Sequence, residues 1–238
     1  MLSIIIPARE EEKIIERTIR QFESLRIPHE TIVSDDASSD RTAEIARRFA
    51  DAVVTYNGNK HVVSRARNAG AKAARGDIFV FIDSDSYFPD PTDFFERARA
   101  QLESDSSLLA LATAQWVRSD MERPVDRLVF GLDNLINRFL NNVLHHGAGA
   151  GKCMIVRKSA FERTGGFNEN LVFREDGDFF RRISKIGKVR FDPNLAVYHS
   201  GRRLHRLGVV RFYSSWIING LYTVFLERAR DKEWKPIR

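Results

Sequence analysis

Short, mainly apolar runs alternate with longer amphipathic stretches along the first part of the chain. Four runs have the continuous apolar character of strands that are buried on both faces: 2–6, 31–34, 52–55 and 77–82. Between them, apolar residues recur every three or four positions, as they do on one face of a helix, for example over 10–25. This alternation predicts an α/β fold with a Rossmann-like, mostly parallel central sheet and helices on both faces.

After residue 90 the rhythm changes, and the spacing predicts a smaller second lobe. Its predicted elements, helices and strands together, are 92–103, 108–114, 125–144, 175–186 and 195–198. A glycine-rich stretch at 145–156 leads into a further strand. Because no low-complexity linker interrupts the chain, we predict one domain over 1–204, with halves 1–90 and 91–204. An amphipathic helical tail is predicted over 205–238.

Polar side chains follow three of the predicted strands, in the stretches PARE (7–10), SDDASSD (34–40) and DSDS (83–86). Parallel sheets of this class bind ligands beyond the carboxyl ends of their strands. We therefore expect the three stretches to meet at one edge of the sheet.

Asp83 and Asp85 stand two residues apart at the end of a predicted strand, so that both side chains point the same way. Two neighbouring carboxylates repel each other, and a bound divalent cation such as Mg²⁺ or Mn²⁺ removes that repulsion. The alternative is ordinary turn chemistry, since Asp and Ser are common where strands end.

The composition is that of an ordinary globular protein, but it is basic. The chain has 238 residues, 43% of them hydrophobic, a net charge of +6 and one cysteine, Cys153. Basic residues concentrate over 181–211, which indicates either a solvated surface or a face for an anionic partner. No signal peptide opens the chain, so a cytoplasmic location is expected, with the inner face of the cell membrane as the alternative.

Six stretches, in order, resemble family 2 glycosyltransferases with the GT-A fold. They are SIIIPAREEE, ETIVSDDASSDRT, SRARNAGAKAARGDIFVFIDSD, GKCMIVRKSAFERTGGFNENL, REDGDFFRRISKIGKV and VYHSGRR. The resemblance implies an inverting enzyme that moves a sugar from a nucleoside-diphosphate sugar, UDP- or GDP-linked, to a hydroxyl acceptor. It also implies Mn²⁺ or Mg²⁺ as cofactor and makes the smaller lobe the acceptor side.

The resemblance also assigns residues to the donor and the metal. Asp85 would be the direct metal ligand. Asp83 would contact the ribose or the metal, and His199 would be a third metal ligand or a hydrogen-bond donor to the diphosphate. Arg202 and Arg203 could equally be surface charges. The family commonly has Asn and Gly where this chain has Arg9 and Ala37. The residues implied at the donor are Pro7, Arg9, Glu10, Asp35, Asp36, Arg67, Asn68, Asp83, Arg202 and Arg203.

On the acceptor side, the acids at the start of the helix over 175–186 include the family's acidic pair. The resemblance makes Asp176 the general base that takes the acceptor's proton, and Glu175 a residue that orients the acceptor or Asp176. Acids at a helix N-terminus also favour the helix dipole, which is the alternative interpretation. Gly149 lies in the glycine-rich stretch, where a glycine permits the close approach of a sugar or simply a turn.

The stretch 209–238 is aromatic and amphipathic, and is too short and polar to predict a membrane span. It predicts either an interfacial helix on an anionic membrane or a helix packed on the domain or on a second subunit of a homo-oligomer. On the membrane interpretation the acceptor would be a lipid-linked or cell-envelope glycan.

Two other classes of function compete with the transferase. The first is a non-catalytic protein that binds a nucleotide sugar or a polyanion on the same fold. The second is a nucleotidyltransferase, although the chain lacks the glycine-rich, basic stretch that would follow its first strand. Nucleic acid is not an expected partner, because the acids that line the predicted cleft would repel it.

Overall fold

The computed structural model describes residues 1–56, 61–149, 151–209, 211 and 214. Seven strands form one sheet in the order β3-β2-β1-β4-β6-β5-β7. The strands are β1 (Leu2–Ala8), β2 (His29–Asp35), β3 (Ala52–Thr55), β4 (Ile78–Ile82), β5 (Leu108–Val117), β6 (Cys153–Arg157) and β7 (Lys188–His199). The helices of the described residues are α1 (Ile15–Arg20), α2 (Thr42–Phe49), α3 (Val63–Ala73), α4 (Pro91–Ser104), α5 (Pro124–Asn142), α6 (Lys158–Thr164), α7 (Glu175–Ser184) and α8 (Arg202–Leu207).

The sheet is mostly parallel, as predicted. Strands β1 to β4 pair in parallel, and so do β5 and β7. Strand β6 runs antiparallel to both of its neighbours, β4 and β5. The amino end of β6 therefore lies at the edge where β4 ends.

Both faces of the sheet are buried, which explains why the strand sequences are continuously apolar. Ile4 and Ile6 of β1 point into one core cluster, which also contains residues of α1, α2 and α4. Ile5 points into the other cluster, with Phe79 of β4 and residues of α3, α6 and α7. The prediction of helices on both faces is confirmed.

Two predicted elements have different limits in the structure. The helix predicted from Glu10 begins only at Ile15, because Glu10 has a left-handed backbone conformation with a φ of 57°. The backbone N–H groups of residues 10–12 donate to the side chains of Ser38, Thr42 and Asp40. Strand β7 is longer than the predicted 195–198. Its first half pairs with β5 before a register shift.

A third, smaller cluster holds α5 and α8 against β5. Val129 and Phe130 of α5 pack with Val117 and Leu204, and Val209 joins them. No helix among the described residues is long and apolar enough to cross a membrane. The predicted division at 90 and 204 stays a prediction, and most of the predicted tail, 205–238, lies outside the described residues.

Candidate active site

The loops after β1 and β2 are joined at one edge of the sheet. The backbone N–H of Asp36 donates to the carbonyl of Ala8 at 2.9 Å, directly after the buried Pro7. The Glu10 carboxylate accepts from the backbone N–H of Ser39 at 2.6 Å. The predicted donor residue Glu10 is thus engaged in holding the two loops together.

Ala37 adopts a left-handed backbone conformation in this edge, with a φ of 52°. A β-carbon is unfavourable there, whereas glycine adopts it freely. The glycine that the family commonly places at this position therefore has a local physical reason, and this chain bears strain in its place.

Asp35 and Asp36 both lie in the edge and are buried. Asp35 Oδ2 accepts from the Ser38 N–H at 3.2 Å, whereas its buried Oδ1 has no hydrogen-bond partner in the described part of the chain. Burial raises the pKa of Asp36, and His61 at 3.2 Å and the charge of Arg9 partly offset that effect. An unsatisfied buried carboxylate oxygen is a strong acceptor for a ligand N–H or O–H.

Asp83 and Asp85 face a common point, as the two-residue spacing predicts, and the ammonium of Lys152 occupies it. Lys152 Nζ lies 3.0 Å from Asp83 Oδ2 and 3.2 Å from Asp85 Oδ1. Since Cys153 at the start of β6 pairs with Ile82 at the end of β4, the register places Lys152 opposite Asp83. The acidic pair thus already shares one internal positive charge.

Asp85 is held firmly in its ionised form. Burial alone would raise its pKa, but the Lys152 and Arg202 charges and the Ser200 hydroxyl hold the pKa well below its usual value. Arg202 lies 3.7 Å from Asp85 and forms a two-pronged ion pair with Glu11 at 2.7 and 3.2 Å. Arg202 is therefore anchored by protein carboxylates at the place where a diphosphate was predicted.

His199 is buried beside this group and is neutral, because burial and the nearby Lys152 charge lower its pKa to about 3. Its Nδ1 accepts from the Gly201 N–H at 3.0 Å, which places the ring proton on Nε2. Nε2 is buried and has no hydrogen-bond partner among the described residues. In this tautomer Nε2 is a hydrogen-bond donor and not a metal ligand.

The predicted metal ligands fit a hard divalent cation only in part. The two carboxylates converge on one positive charge and have the oxygen donors that Mg²⁺ and Mn²⁺ prefer. His199 would have to give up the Gly201 N–H before Nε2 could coordinate. In the described part of the chain, no three His, Cys, Asp or Glu side chains are grouped as a ligand set. The predicted trio is therefore not assembled in this arrangement.

Arg67 joins the strand edge to α7. Its side chain is 2% exposed, and the guanidinium binds Asp83 at 3.1 Å, Glu175 at 2.9 Å and the Gly151 carbonyl at 3.2 Å. A β-carbon at Gly151 would lie 3.0 Å from Arg67 and 3.4 Å from Asp176 Oδ2, so the three residues surround one point. The predicted donor residue Arg67 thus binds the acids of both halves.

Glu175 and Asp176 lie next to each other in the first turn of α7. Burial raises the pKa of Asp176, and Arg67 together with backbone N–H groups partly offsets this. Burial and the charge of Asp176 raise the pKa of Glu175 to about 7, although Arg67 opposes the rise. A carboxylate with a raised pKa accepts protons more readily, as a general base requires.

Three other predicted residues have structural contacts. The Asn68 side chain bonds the backbone N–H and carbonyl of Phe167, both at 2.9 Å, and so fixes the loop after α6. A β-carbon at Gly149 would lie 2.7 Å from the Phe180 ring, so its close approach is to α7. Arg203 lies over the Phe173 ring at 5.8 Å.

Lys152, Glu11 and Ser200 also belong to the site, although they were not predicted from the sequence. Only the antiparallel register of β6 brings Lys152 to the acidic pair, and no local pattern reveals it. Glu11 follows the predicted residue Glu10, and Ser200 follows the predicted residue His199. This adjacency was the sequence signal that could have identified them.

The geometry can be compared with known proteins. The sequence profile described as Glycosyl transferase family 2 matches residues 3–165, more than half of the chain. This chain belongs to glycosyl transferase family 2. The predicted family and its class, glycosyltransferase, are confirmed. The matched residues include the strand edge, Arg67 and Lys152, but not the first turn of α7.

Two curated relatives differ in how much they share. The 4,4'-diaponeurosporenoate glycosyltransferase of Staphylococcus haemolyticus is 44% identical over 89 residues, which cover 35% of this chain and 24% of that protein. The succinoglycan biosynthesis protein ExoA of Rhizobium meliloti is 28% identical over 194 residues, covering 77% of this chain and 58% of that protein. The chain thus spans between a quarter and three fifths of their length.

Solved structures of glycosyltransferases share the GT-A fold with this family member, which confirms the predicted fold. The mannosyltransferase PcManGT from Pyrobaculum calidifontis, in complex with GDP-Man and Mn²⁺, superposes with a TM-score of 0.70 at 20% identity, covering 91% of this chain and 64% of its own. The S. aureus TarS 1–349 complex with UDP-GlcNAc gives 0.64 at 21% identity, covering 83% and 57%.

Proposed function

We propose that this family 2 member is an inverting, divalent-metal-dependent glycosyltransferase. It would move a sugar from a nucleoside-diphosphate sugar to a hydroxyl of a lipid-linked or cell-envelope glycan. One observation supports this most. The buried Arg67 binds both Asp83 at the strand edge and Glu175 beside Asp176, so the acids proposed for the donor and those proposed for the acceptor lie close together.

In the proposed reaction, Asp176 accepts the proton of the acceptor hydroxyl. The hydroxyl oxygen forms a bond to the anomeric carbon on the face opposite the diphosphate. The bond from that carbon to the diphosphate oxygen breaks, and the nucleoside diphosphate leaves with the electron pair. The raised pKa of Asp176 supports its role as base, and Glu175 with Arg67 would hold Asp176 in place.

The donor would lie along the strand edge. The unsatisfied Oδ1 of Asp35 offers an acceptor for a base N–H or a ribose hydroxyl. Asp83 and Asp85 would hold Mn²⁺ or Mg²⁺, which when bound acts as a Lewis acid toward the leaving diphosphate. His199 Nε2–H is placed as a neutral hydrogen-bond donor near Asp85. UDP- and GDP-sugars are the proposed donors, as in the solved relatives that carry UDP-GlcNAc and GDP-Man.

A panel of UDP-, GDP- and dTDP-sugars with Mn²⁺ or Mg²⁺ tests the proposal, with release of nucleoside diphosphate as the readout. Asp176→Asn should leave donor binding by calorimetry nearly unchanged and lower turnover by about 10²–10⁴-fold, the usual range for loss of a general base. Asp178→Asn, in the same turn of α7, is the matched control and should keep most of the turnover.

Binding of a donor without turnover, by a preparation whose Asp176 is intact, would instead support the non-catalytic nucleotide-sugar-binding protein. Full turnover by Asp176→Asn would show that another group takes the proton.

A further inference from the structure

The outward face of α5 is apolar along the whole helix. The exposed side chains recur every three or four residues, so they form one continuous stripe that runs past the end of the helix. Their exposure ranges from 39% for Val125 to 73% for Leu128. The stripe, called here the α5 stripe, consists of Val125, Leu128, Leu132, Leu135, Ile136, Phe139, Val143 and Leu144.

The inward face of the same helix is largely polar and fixed by hydrogen bonds. The Asn134 side chain accepts from the Gln115 N–H at 3.0 Å and donates to the Gln115 carbonyl at 3.1 Å. Asn141 makes the same pair of bonds with Ala148, both at 2.8 Å. Because these amides anchor α5 to β5 and to the following loop, the helix cannot rotate to bury its stripe.

A stripe of this size is unusual for a surface that only meets water, since soluble monomers expose large apolar residues singly or in small patches. The charged side chains around it are of both signs, but the most exposed of them are basic. The exposed residues over 121–146 include Arg123, Arg127 and Arg138 and two histidines. The carboxylates of that stretch, on Glu122, Asp126 and Asp133, are buried or half-buried. Arg127 pairs with Glu122 at 2.9 Å, so Arg123 and Arg138 are the exposed cations that would face a partner on this side. Such a face suits a partner that is apolar and carries anionic groups.

The basic region over 181–211 is less suited to bind such a partner, because many of its charges form ion pairs within the protein. Arg182 binds Asp178 at 2.8 Å, and Lys188 and Arg190 both lie 3.4 Å from Asp105. These charges are therefore less available to an anionic partner.

We propose that the α5 stripe docks on an anionic lipid surface. The leucine, isoleucine and phenylalanine side chains enter the boundary of the acyl chains, and Arg123 and Arg138 lie among the headgroups. An amphipathic helix that lies in the membrane plane binds by this combination of apolar burial and attraction to anionic lipid.

Two other occupants fit the charges less well. A second copy of the chain, related by a two-fold axis, would bring the arginines of one α5 stripe to those of the other. Val209, which precedes the segment over 210–238, packs with Val129 and Phe130 of α5. That segment contains six basic and three acidic residues, so it offers no excess of carboxylates to the exposed Arg123 and Arg138.

The position of α5 indicates what the docking would do for the enzyme. This step rests on the proposed function. The loop that follows α5 leads to Gly149 against α7 and to Gly151 beside Asp176. A bilayer on the α5 stripe would therefore lie next to the acceptor side of the site, where a lipid-linked acceptor would enter.

Flotation of the full chain with vesicles tests the proposal. One set of vesicles is phosphatidylcholine alone, and the other contains about one third phosphatidylglycerol. We expect binding to the anionic vesicles that is at least about tenfold stronger and that weakens with salt. Leu132→Glu with Leu135→Glu should lower that binding by about tenfold or more. Ala73→Glu with Ala100→Glu adds the same charge at exposed positions of α3 and α4 and should bind as the unmodified chain does.

A second variant tests the docking even if Leu132→Glu with Leu135→Glu does not fold. In Leu135→Trp, anionic vesicles should shift the tryptophan emission to the blue beyond the change in the unmodified chain. Absence of flotation by the unmodified chain, or equal flotation by Leu132→Glu with Leu135→Glu, would overturn the proposal. A dimer in light scattering that the double variant converts to monomer, without vesicle binding, would assign the stripe to a second copy. Donor binding and nucleoside diphosphate release in solution are measured in parallel, so failure of the proposed function is seen separately.

Discussion

Replacing Lys152 by methionine should strengthen the binding of a divalent cation in the absence of nucleotide. The Lys152 ammonium lies 3.0 and 3.2 Å from the two carboxylates that would hold the cation. At the effective dielectric constant of about 20 that suits protein sites, two unit charges 4 Å apart interact by about 4 kcal/mol. A divalent ion near the ammonium would meet a repulsion of about twice that value, which the lysine reduces by moving away. We expect a net gain in Mn²⁺ affinity of about 10- to 100-fold.

The same change should destabilise the protein when no metal is added, because Asp83 and Asp85 lose their shared counter-ion. Removing one member of a buried ion pair costs about 3–5 kcal/mol, and the remaining Arg202 and Ser200 contacts of Asp85 reduce this. The expected loss is about 2 kcal/mol, or roughly 4–8 °C in Tm for a domain of this size. Added Mn²⁺ should raise the Tm of Lys152→Met more than that of the unmodified chain.

Isothermal titration calorimetry with Mn²⁺, confirmed by the loss of the free Mn²⁺ resonance in electron paramagnetic resonance, measures the affinity. Lys72→Met removes an exposed lysine of α3 and is the control, with no expected change in Mn²⁺ affinity. Equal or weaker Mn²⁺ binding by Lys152→Met would refute the reasoning, because the ammonium would then not compete for the position between the carboxylates.

Three further predictions concern Glu175, whose pKa is raised, and the strained turn at Ala37. The charge of Asp176 helps to raise the pKa of Glu175 to about 7, so Glu175→Gln should remove any step near pH 7 from the kcat/KM profile; a step that persists in the variant would belong to another group. Because the pKa of Glu175 is raised, its contribution to stability is present below about pH 4.5 and is lost as the pH rises through about 7. Glu175→Gln should therefore remove this pH dependence of the Tm in thermal melts. Ala37→Gly should raise the free energy of unfolding by about 0.5–1 kcal/mol, since the cost of a left-handed alanine exceeds the chain entropy of glycine; denaturant unfolding that shows a loss would contradict this.

Much of the fold was predictable because the central strands are buried on both faces. Continuous apolar runs at β1 and β4 follow directly from that burial, and the convergence of Asp83 and Asp85 follows from the two-residue period of an extended chain. These features depend only on residues close in sequence.

The features that could not be predicted from the sequence depend on contacts between distant parts of the chain. Lys152 reaches Asp85 only through the antiparallel pairing of β6 with β4, across 67 positions. The spacing of α5 predicts a helix with one apolar face, but it cannot tell which face packs on the sheet. The amide contacts of Asn134 with Gln115 decide that, and they require the tertiary structure.

The reversed direction of β6 has a consequence for how such a site can diversify. In a fully parallel sheet, only segments that follow strands reach the ligand edge. Here the segment that precedes β6 reaches it too, and delivers Gly151 and Lys152 between the two acidic groups. Residues 143–152 can therefore change in length or charge without disturbing a strand, and each such change would alter the cation position and the acceptor side together.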